Sequence, residues 1–233
     1  MRILGIITAR GGSTGVPGKN IKLLGDLPLL AYTAHAALDS KSLCKVILSS
    51  DCSSIAAVAQ KYAIEVPFLR PETLATDTAS SIDVVNHAVS YLENQGDFYD
   101  AVCLLQPTSP FRSKGFIDFA IKKFIADDAD ALVSVLPVPH EFNPHWVFEP
   151  NHEGYLKLAT GEDTIIKRRQ DLPLAYFRDG SIYITKTAIV KSGSFYGTKL
   201  SYLENNPDLY VNIDTPEDWE KALSKLPNLI HQL

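Results

Sequence analysis

Short, continuous runs of apolar and β-branched residues alternate with segments of helical period, and this alternation limits the fold more than any other feature of the chain. Ile3–Thr8, Lys45–Ser49, Ala101–Leu105 and Ala131–Leu136 are apolar at successive positions over most of their length instead of at every second position. Strands of that kind are buried on both faces, as in a parallel sheet covered by helices. The intervening segments supply the helices. Ser53–Tyr62 places Ile55, Val58, Ala59 and Tyr62 at i, i+3, i+4 and i+7, and Ser81–Asn94 does the same with Ile82, Val85, Val89 and Leu92. Such spacing lines one buried helical face. Leu29–Leu38 and Phe116–Ile125 are also expected to be helical. The predicted architecture is α/β, with three layers and a mostly parallel central sheet.

The pattern breaks between Pro137 and Tyr176, a stretch rich in Pro, His, Asn and charge. A structureless loop of that length is unusual inside a compact domain. A hairpin is expected there, with Trp146–Phe148 and Tyr155–Leu158 flanking a turn at Asn151–Gly154. The chain is therefore expected to be a single domain over residues 1–233 with a protruding arm at 137–176. Regular structure is expected to resume at Ser181–Thr185 and Tyr210–Ile213. A closing helix is signalled by Thr215 as its cap, Pro216 at its first position and Asp218 three residues after the cap.

Charge and composition narrow the classes of function. Lys and Arg total 22 against 27 Asp and Glu, a net charge of −5. No cationic cluster points to nucleic acid. No apolar run approaches the ~20 residues of a membrane span, and the N-terminal apolar run is too short and too soon interrupted by Arg10 for a signal peptide. Cys44, Cys52 and Cys103 are odd in number and widely spaced. They are expected to be reduced core thiols in a cytoplasmic protein. His140 and His145 have no third ligand at zinc spacing and are expected at a surface or interface.

Four segments carry candidate chemistry. The first, A-R-G-G-S-T-G-V-P-G-K-N from Ala9 to Asn20, follows the first strand. Glycines such as Gly11 and Gly12 let successive N–H groups converge on an anion. Arg10 and Lys19 bracket the loop with positive charge, and ligands of open α/β sheets bind beyond the carboxyl ends of the strands. The second, R-P-E-T-L-A-T-D-T-A-S-S from Arg70 to Ser81, is dense in hydroxyls, and Thr78, Ser80 or Ser81 can cap the next helix. The third, L-L-Q-P-T-S-P-F-R from Leu104 to Arg112, sets Gln106 at a strand end. The fourth, V-N-I-D-T-P-E-D-W from Val211 to Trp219, sets Asp214 where a carboxylate can bind Mg²⁺ beside phosphates or help cap the helix.

Taken in order, together with R-R-Q-D-L-P and D-G-S-I-Y-I (Asp179–Ile184), these blocks resemble the CMP-sugar synthetases, and most closely the N-acylneuraminate cytidylyltransferases. The resemblance spans nearly the whole chain. It implies a nucleotide-diphospho-sugar transferase-like fold with helices on both faces of the sheet, an arm that forms a homodimer, and transfer of CMP from CTP to a nine-carbon sugar acid. It implies that Arg10, Gly11, Gly12, Ser13 and Lys19 hold the triphosphate, with Arg10, Lys19 and Asp214 carrying the catalysis. Asn20, Arg70, Ala79 and Ser81 would surround the cytidine. Gln106, Tyr183, Phe195 and Tyr196 would shape the sugar pocket, joined by Arg169 from the partner subunit. Asp214, with Asn212, would bind the Mg²⁺ cofactor. CMP transfer to another sugar acid (legionaminate, pseudaminate or an eight-carbon ulosonate) and a non-catalytic nucleotide-binding role remain as alternatives.

The chain departs from the family pattern at three positions. Thr14 stands where Lys is common, which removes one phosphate contact. Asn212 stands where a first acid is common, which leaves more of the metal's coordination to the nucleotide. Asp179 stands where Asn is common, beside the expected sugar pocket.

Overall fold

The computed structural model describes all 233 residues except residue 230. The chain divides into two compact units, Met1–Ser134 with Asp179–Leu233, and Val135–Arg178.

A six-stranded sheet organises the first unit. Its strands are β1 (Ile3–Thr8), β4 (Lys45–Ser49), β5 (Ala101–Leu105), β6 (Ala131–Pro137), β9 (Tyr176–Lys186) and β10 (Leu200–Glu204), and two short strands, β2 (Leu23–Leu24) and β3 (Leu27–Pro28), pair separately. The spatial order is β10-β6-β9-β5-β1-β4. β1 lies parallel to both β4 and β5, with Ile6 opposite Ile47 on one side and Leu104 on the other. β5 runs antiparallel to β9, from Ala101 opposite Lys186 to Leu104 opposite Tyr183.

The helices are α1 (Leu29–Asp39), α2 (Ser53–Lys61), α3 (Ser81–Asn94), α4 (Phe116–Ala126), α5 (Thr187–Lys191) and α6 (Pro216–Leu229). Burial explains the continuous apolar strands. Ile3 and Ile7 of β1, with Ala101, Cys103 and Leu105 of β5, pack against residues of α1, α2 and α4. Leu4 and Ile6, with Val102 and Leu104, point the other way and pack against Val85, Ala88, Val89 and Leu92 of α3. Alternate residues thus fill two cores, so no polar face is left.

A third core lies under α6, where Trp219, Ala222 and Leu226 meet Val211, Ile213 and Phe111. The helix start follows the expected reciprocal cap. The Asp218 N–H donates to Thr215 Oγ1 at 3.2 Å, and Asp218 Oδ2 accepts from the Thr215 N–H at 2.9 Å. Tyr210–Ile213 is not a strand. Its apolar alternation instead buries Val211 and Ile213 under α6, while the Ile213 N–H donates to the Thr108 carbonyl at 2.8 Å. The same alternation turns Asn212 and Asp214 outward. β10 was not foreseen, because only Leu203 of its five residues is buried and no apolar period results. Of the thiols, Cys103 is buried in the core and Cys52 is half-buried against it, but Cys44 is exposed and lies outside the core.

In the second unit, β7 (Phe148–Pro150) and β8 (Leu156–Leu158) form the expected hairpin, with its first strand shifted toward the turn. Asn151 fixes the shift, since its Oδ1 accepts from the N–H groups of Glu153 and Tyr155 and closes an Asx turn. The Trp146 indole donates to the Ile166 carbonyl, and His145 pairs with Glu162.

Candidate active site

β1, β4 and β5 run in one direction, so their carboxyl ends open together, where an α/β sheet binds its ligands. A cavity of about 590 Å³ lies there, lined by residues of all four singled-out segments. Arg10, Ser13, Thr14, Lys19 and Asn20 come from the first segment, Arg70, Asp77, Ala79 and Ser81 from the second, Gln106 from the third, and Asn212 and Asp214 from the fourth.

Close packing fixes the glycine loop at one point. A β-carbon on Gly15 would lie 1.9 Å from the Asp214 carbonyl oxygen, so only glycine lets the loop pass against the Asn212–Asp214 segment. Asn20 is buried and donates from Nδ2 to the Arg10 carbonyl at 3.0 Å, which ties the two ends of the loop. Gly11 and Gly12 lie outside the cavity lining, although the Gly11 N–H is held at 3.0 Å by Asp51 Oδ1. Ser80, not Ser81, caps α3, accepting from the Asp83 N–H. Ser81 is thereby left to line the cavity.

The cations are held by carboxylates of the same region. Arg10 Nη2 lies 2.6 Å from Asp77, and Lys19 Nζ lies 3.0 Å from Asp214 Oδ1. Arg70 is buried and only loosely paired, 3.5 Å from Asp51, and its Nε and Nη2 have no hydrogen-bond partner. Desolvation lowers its pKa, against the pull of Asp51. A buried guanidinium with two N–H groups unsatisfied is costly unless a ligand completes it. Asp51 and Asp77 were not assigned roles from the sequence, although Asp77 lies inside a singled-out block.

The expected sugar residues are placed differently. Gln106 lines the cavity, but Tyr183, Phe195 and Tyr196 do not. Tyr183 and Phe195 approach at 6.0 Å between ring centroids and pack against the α3 core. Arg169 belongs to the second unit and is exposed. Asp179 does not face the cavity. It is 2% exposed, accepts from the Ser181 N–H at 3.0 Å, and is bonded to Ser134 and Asn205.

The donor set near Asp214 suits Mg²⁺ only in company. Of the expected pair, Asp214 alone is a carboxylate, and Asn212 turns its amide nitrogen to Asp214 Oδ2 at 2.7 Å. Mg²⁺ sites of one or two carboxylates are completed by phosphate oxygens and water. No group of three or more His, Cys, Asp or Glu side chains among the described residues forms a metal cage.

The cytidylyltransferase family profile matches residues 4–225. The chain belongs to the cytidylyltransferase family. Relatives of this cytidylyltransferase agree along its length. It is 39% identical to the CMP-N,N'-diacetyllegionaminic acid synthase of Legionella pneumophila, with 94% of each chain covered. It is 34% identical to the pseudaminic acid cytidylyltransferase of Campylobacter jejuni, with 95% of each covered. Identity to the N-acylneuraminate cytidylyltransferase of Escherichia coli is also 34%, over 96% of this chain but 52% of that one. A CMP:2-keto-3-deoxy-manno-octonic acid synthetase complexed with CTP shares the fold at a TM-score of 0.74 and 15% identity, with 98% of this chain and 99% of that one covered. No helix among the described residues is long and apolar enough to cross a membrane.

Proposed function

We propose that this cytidylyltransferase joins CTP to the anomeric hydroxyl of a nine-carbon α-keto sugar acid, releasing pyrophosphate. The cavity at the carboxyl ends of β1 and β5 carries the reading, because Arg10, Lys19, Gln106 and an Arg70 with two unpartnered nitrogens all line it. The full-length match to synthases named for legionaminic and pseudaminic acids supports a nonulosonate of that kind, the N-acylneuraminates being the related alternative.

Arg10, Ser13 and Lys19 bind the triphosphate, with Arg10 and Lys19 exchanging their present carboxylate partners, Asp77 and Asp214, for phosphate oxygens. Asn20, Arg70, Ala79 and Ser81 border the cytidine. Gln106 meets the sugar acid, with Tyr183, Phe195 and Tyr196 beyond it. The hydroxyl attacks the α-phosphorus and pyrophosphate leaves in line. Positioning and charge neutralisation account for most of such a rate. Asp214, with Asn212 next to it, would hold a Mg²⁺ ion, which would supply further neutralisation of the phosphates. The lining carboxylates Asp77 and Asp214 are each paired with a cation, Arg10 and Lys19.

The Val135–Arg178 unit exposes Phe142, Phe148, Tyr155, Leu156, Ile165 and Leu174. Apolar surface of that extent supports pairing with a second copy about a two-fold axis. Such a dimer provides a route for Arg169 of the partner subunit to reach the sugar acid.

A panel of nonulosonic acids and an eight-carbon ulosonate, each with CTP and Mg²⁺, tests the substrate. The reading predicts a kcat/KM for one nine-carbon acid about tenfold or more above the eight-carbon acid. Preference for the eight-carbon acid overturns it.

A further inference from the structure

Arg112 ends the third singled-out segment, and no part of the reaction described above uses it. Its side chain is among the largest that are fully buried, at 2% exposure. Three of its nitrogens are satisfied by three separate elements. Nη2 donates to the Gln106 carbonyl at 2.9 Å, Nε to the Ser181 carbonyl at 3.0 Å, and Nη1 to Thr33 Oγ1 of α1 at 3.0 Å.

These bonds sit where the sheet forks. The β5–β9 register ends with Leu104 opposite Tyr183, and beyond it the two chains no longer pair as a ladder. The guanidinium spans the gap from Gln106 to Ser181. Around it, Ser109 Oγ donates to the Asp179 carbonyl at 3.2 Å, and the Ser109 N–H donates to the Gln106 carbonyl at 3.2 Å. Gly180, at φ +81°, leaves room for this approach. A β-carbon there would lie 2.7 Å from Ser109 Oγ and 3.7 Å from Gln106 Oε1.

A buried guanidinium needs a compensating charge. Burial pushes the Arg112 pKa down to about 10, and the Asp179 carboxylate acts against that shift. Asp179 is itself closed in by Ser134, Ser181 and Asn205.

We propose that Arg112 is the positioning residue for the sugar-acid side of the cavity, fixing Gln106 through its main-chain carbonyl. The proposal rests on the reading that Gln106 meets the sugar acid. Arg112 touches no substrate and acts only through the 106–109 turn.

The test compares Arg112→Lys, Gln106→Ala and the double variant of the full chain. Lysine keeps the charge but loses the three-way fork. Arg112→Lys should raise KM for the sugar acid about tenfold while leaving KM for CTP within about twofold. The double variant should be no worse than Gln106→Ala alone, because both act on one contact. Equal rises in both KM values, or additive effects, overturn the proposal. If Arg112→Lys does not fold, Thr33→Val removes one anchor and should give a smaller rise, again confined to the sugar acid. Hydrogen exchange gives a readout independent of turnover. Amides at 106–109 should exchange faster in the variant while those at 101–105 stay protected, and unchanged exchange at 106–109 overturns the anchoring. A wild-type protein that turns over no sugar acid refutes the reading of the site, and the exchange experiment still decides whether Arg112 fixes Gln106.

Discussion

Lys19 donates to Asp214 Oδ1 at 3.0 Å and to the Ile213 carbonyl at 2.8 Å, so the lysine proposed for the triphosphate and the carboxylate proposed for the metal hold each other across 195 residues of sequence. The pair keeps the ammonium at the cavity wall. Replacing Lys19 by Ala should abolish most turnover, about a hundredfold or more in kcat/KM for CTP. The fold should survive, since a partly exposed pair of this kind contributes about 1 kcal/mol or less. Steady-state kinetics beside a melting curve checks both halves, and near-normal kcat/KM removes the loop from the mechanism.

Asp214 is the carboxylate expected on the metal, and Asn212 donates to it instead of adding charge. Asp214→Asn should cut turnover strongly and leave the sheet intact. Asn212→Asp should keep activity and lower the Mg²⁺ concentration for half-maximal rate, because a second carboxylate joins the site. A Mg²⁺ titration of initial rates for the three proteins is the check. An unchanged titration in Asp214→Asn places the metal elsewhere.

His87 adds a pH dependence to stability. Burial lowers its pKa from the ordinary value of 6.5, and the charge of Arg70 lowers it further. Its Nδ1 is buried without a partner, and its ring packs edge-on to Phe68 at 4.8 Å. The unfolded chain therefore binds this proton at higher pH than the folded one. The stability linked to His87 is present above about pH 6.5 and falls as the pH drops below that value toward the folded pKa. Urea unfolding at about pH 7.5 and about pH 5.5 should show a larger loss for wild type than for His87→Gln. Parallel losses contradict the assignment.

The elements most legible in the sequence are those whose signal is local. Lys45–Ser49, Ala101–Leu105 and Ser81–Asn94 match the expected bounds. The two strands are apolar on both faces, and the helix is opened by a serine cap. The glycine loop was legible for the same reason, since its cations and glycines are adjacent in the chain. Tyr210–Ile213 misled because its alternation reports burial under α6, not pairing in the sheet. The partners Asp51, Asp77 and Arg112 were not legible as such. Arg112 meets Ser181 and Thr33 across 69 and 79 residues, and no spacing rule encodes contacts of that range. Asp179 misled in a further way, since its motif lies near the site while its carboxylate turns inward.

The exposed aromatics of the Val135–Arg178 unit bear on assembly. Light scattering at low micromolar concentration should give about twice the chain mass of 25.6 kDa. Substituting Phe148 and Leu156 by Asp should yield monomers with weakened use of the sugar acid. A fully active monomer rules out a shared site and the role proposed for Arg169.

The most direct measurement is pyrophosphate release from CTP and Mg²⁺, with and without the preferred nonulosonic acid, alongside mass analysis of the product. The account predicts release only when both substrates are present, matched one for one by a CMP-sugar. Release from CTP alone at a comparable rate, or no CMP-sugar from any nonulosonic acid, would contradict it.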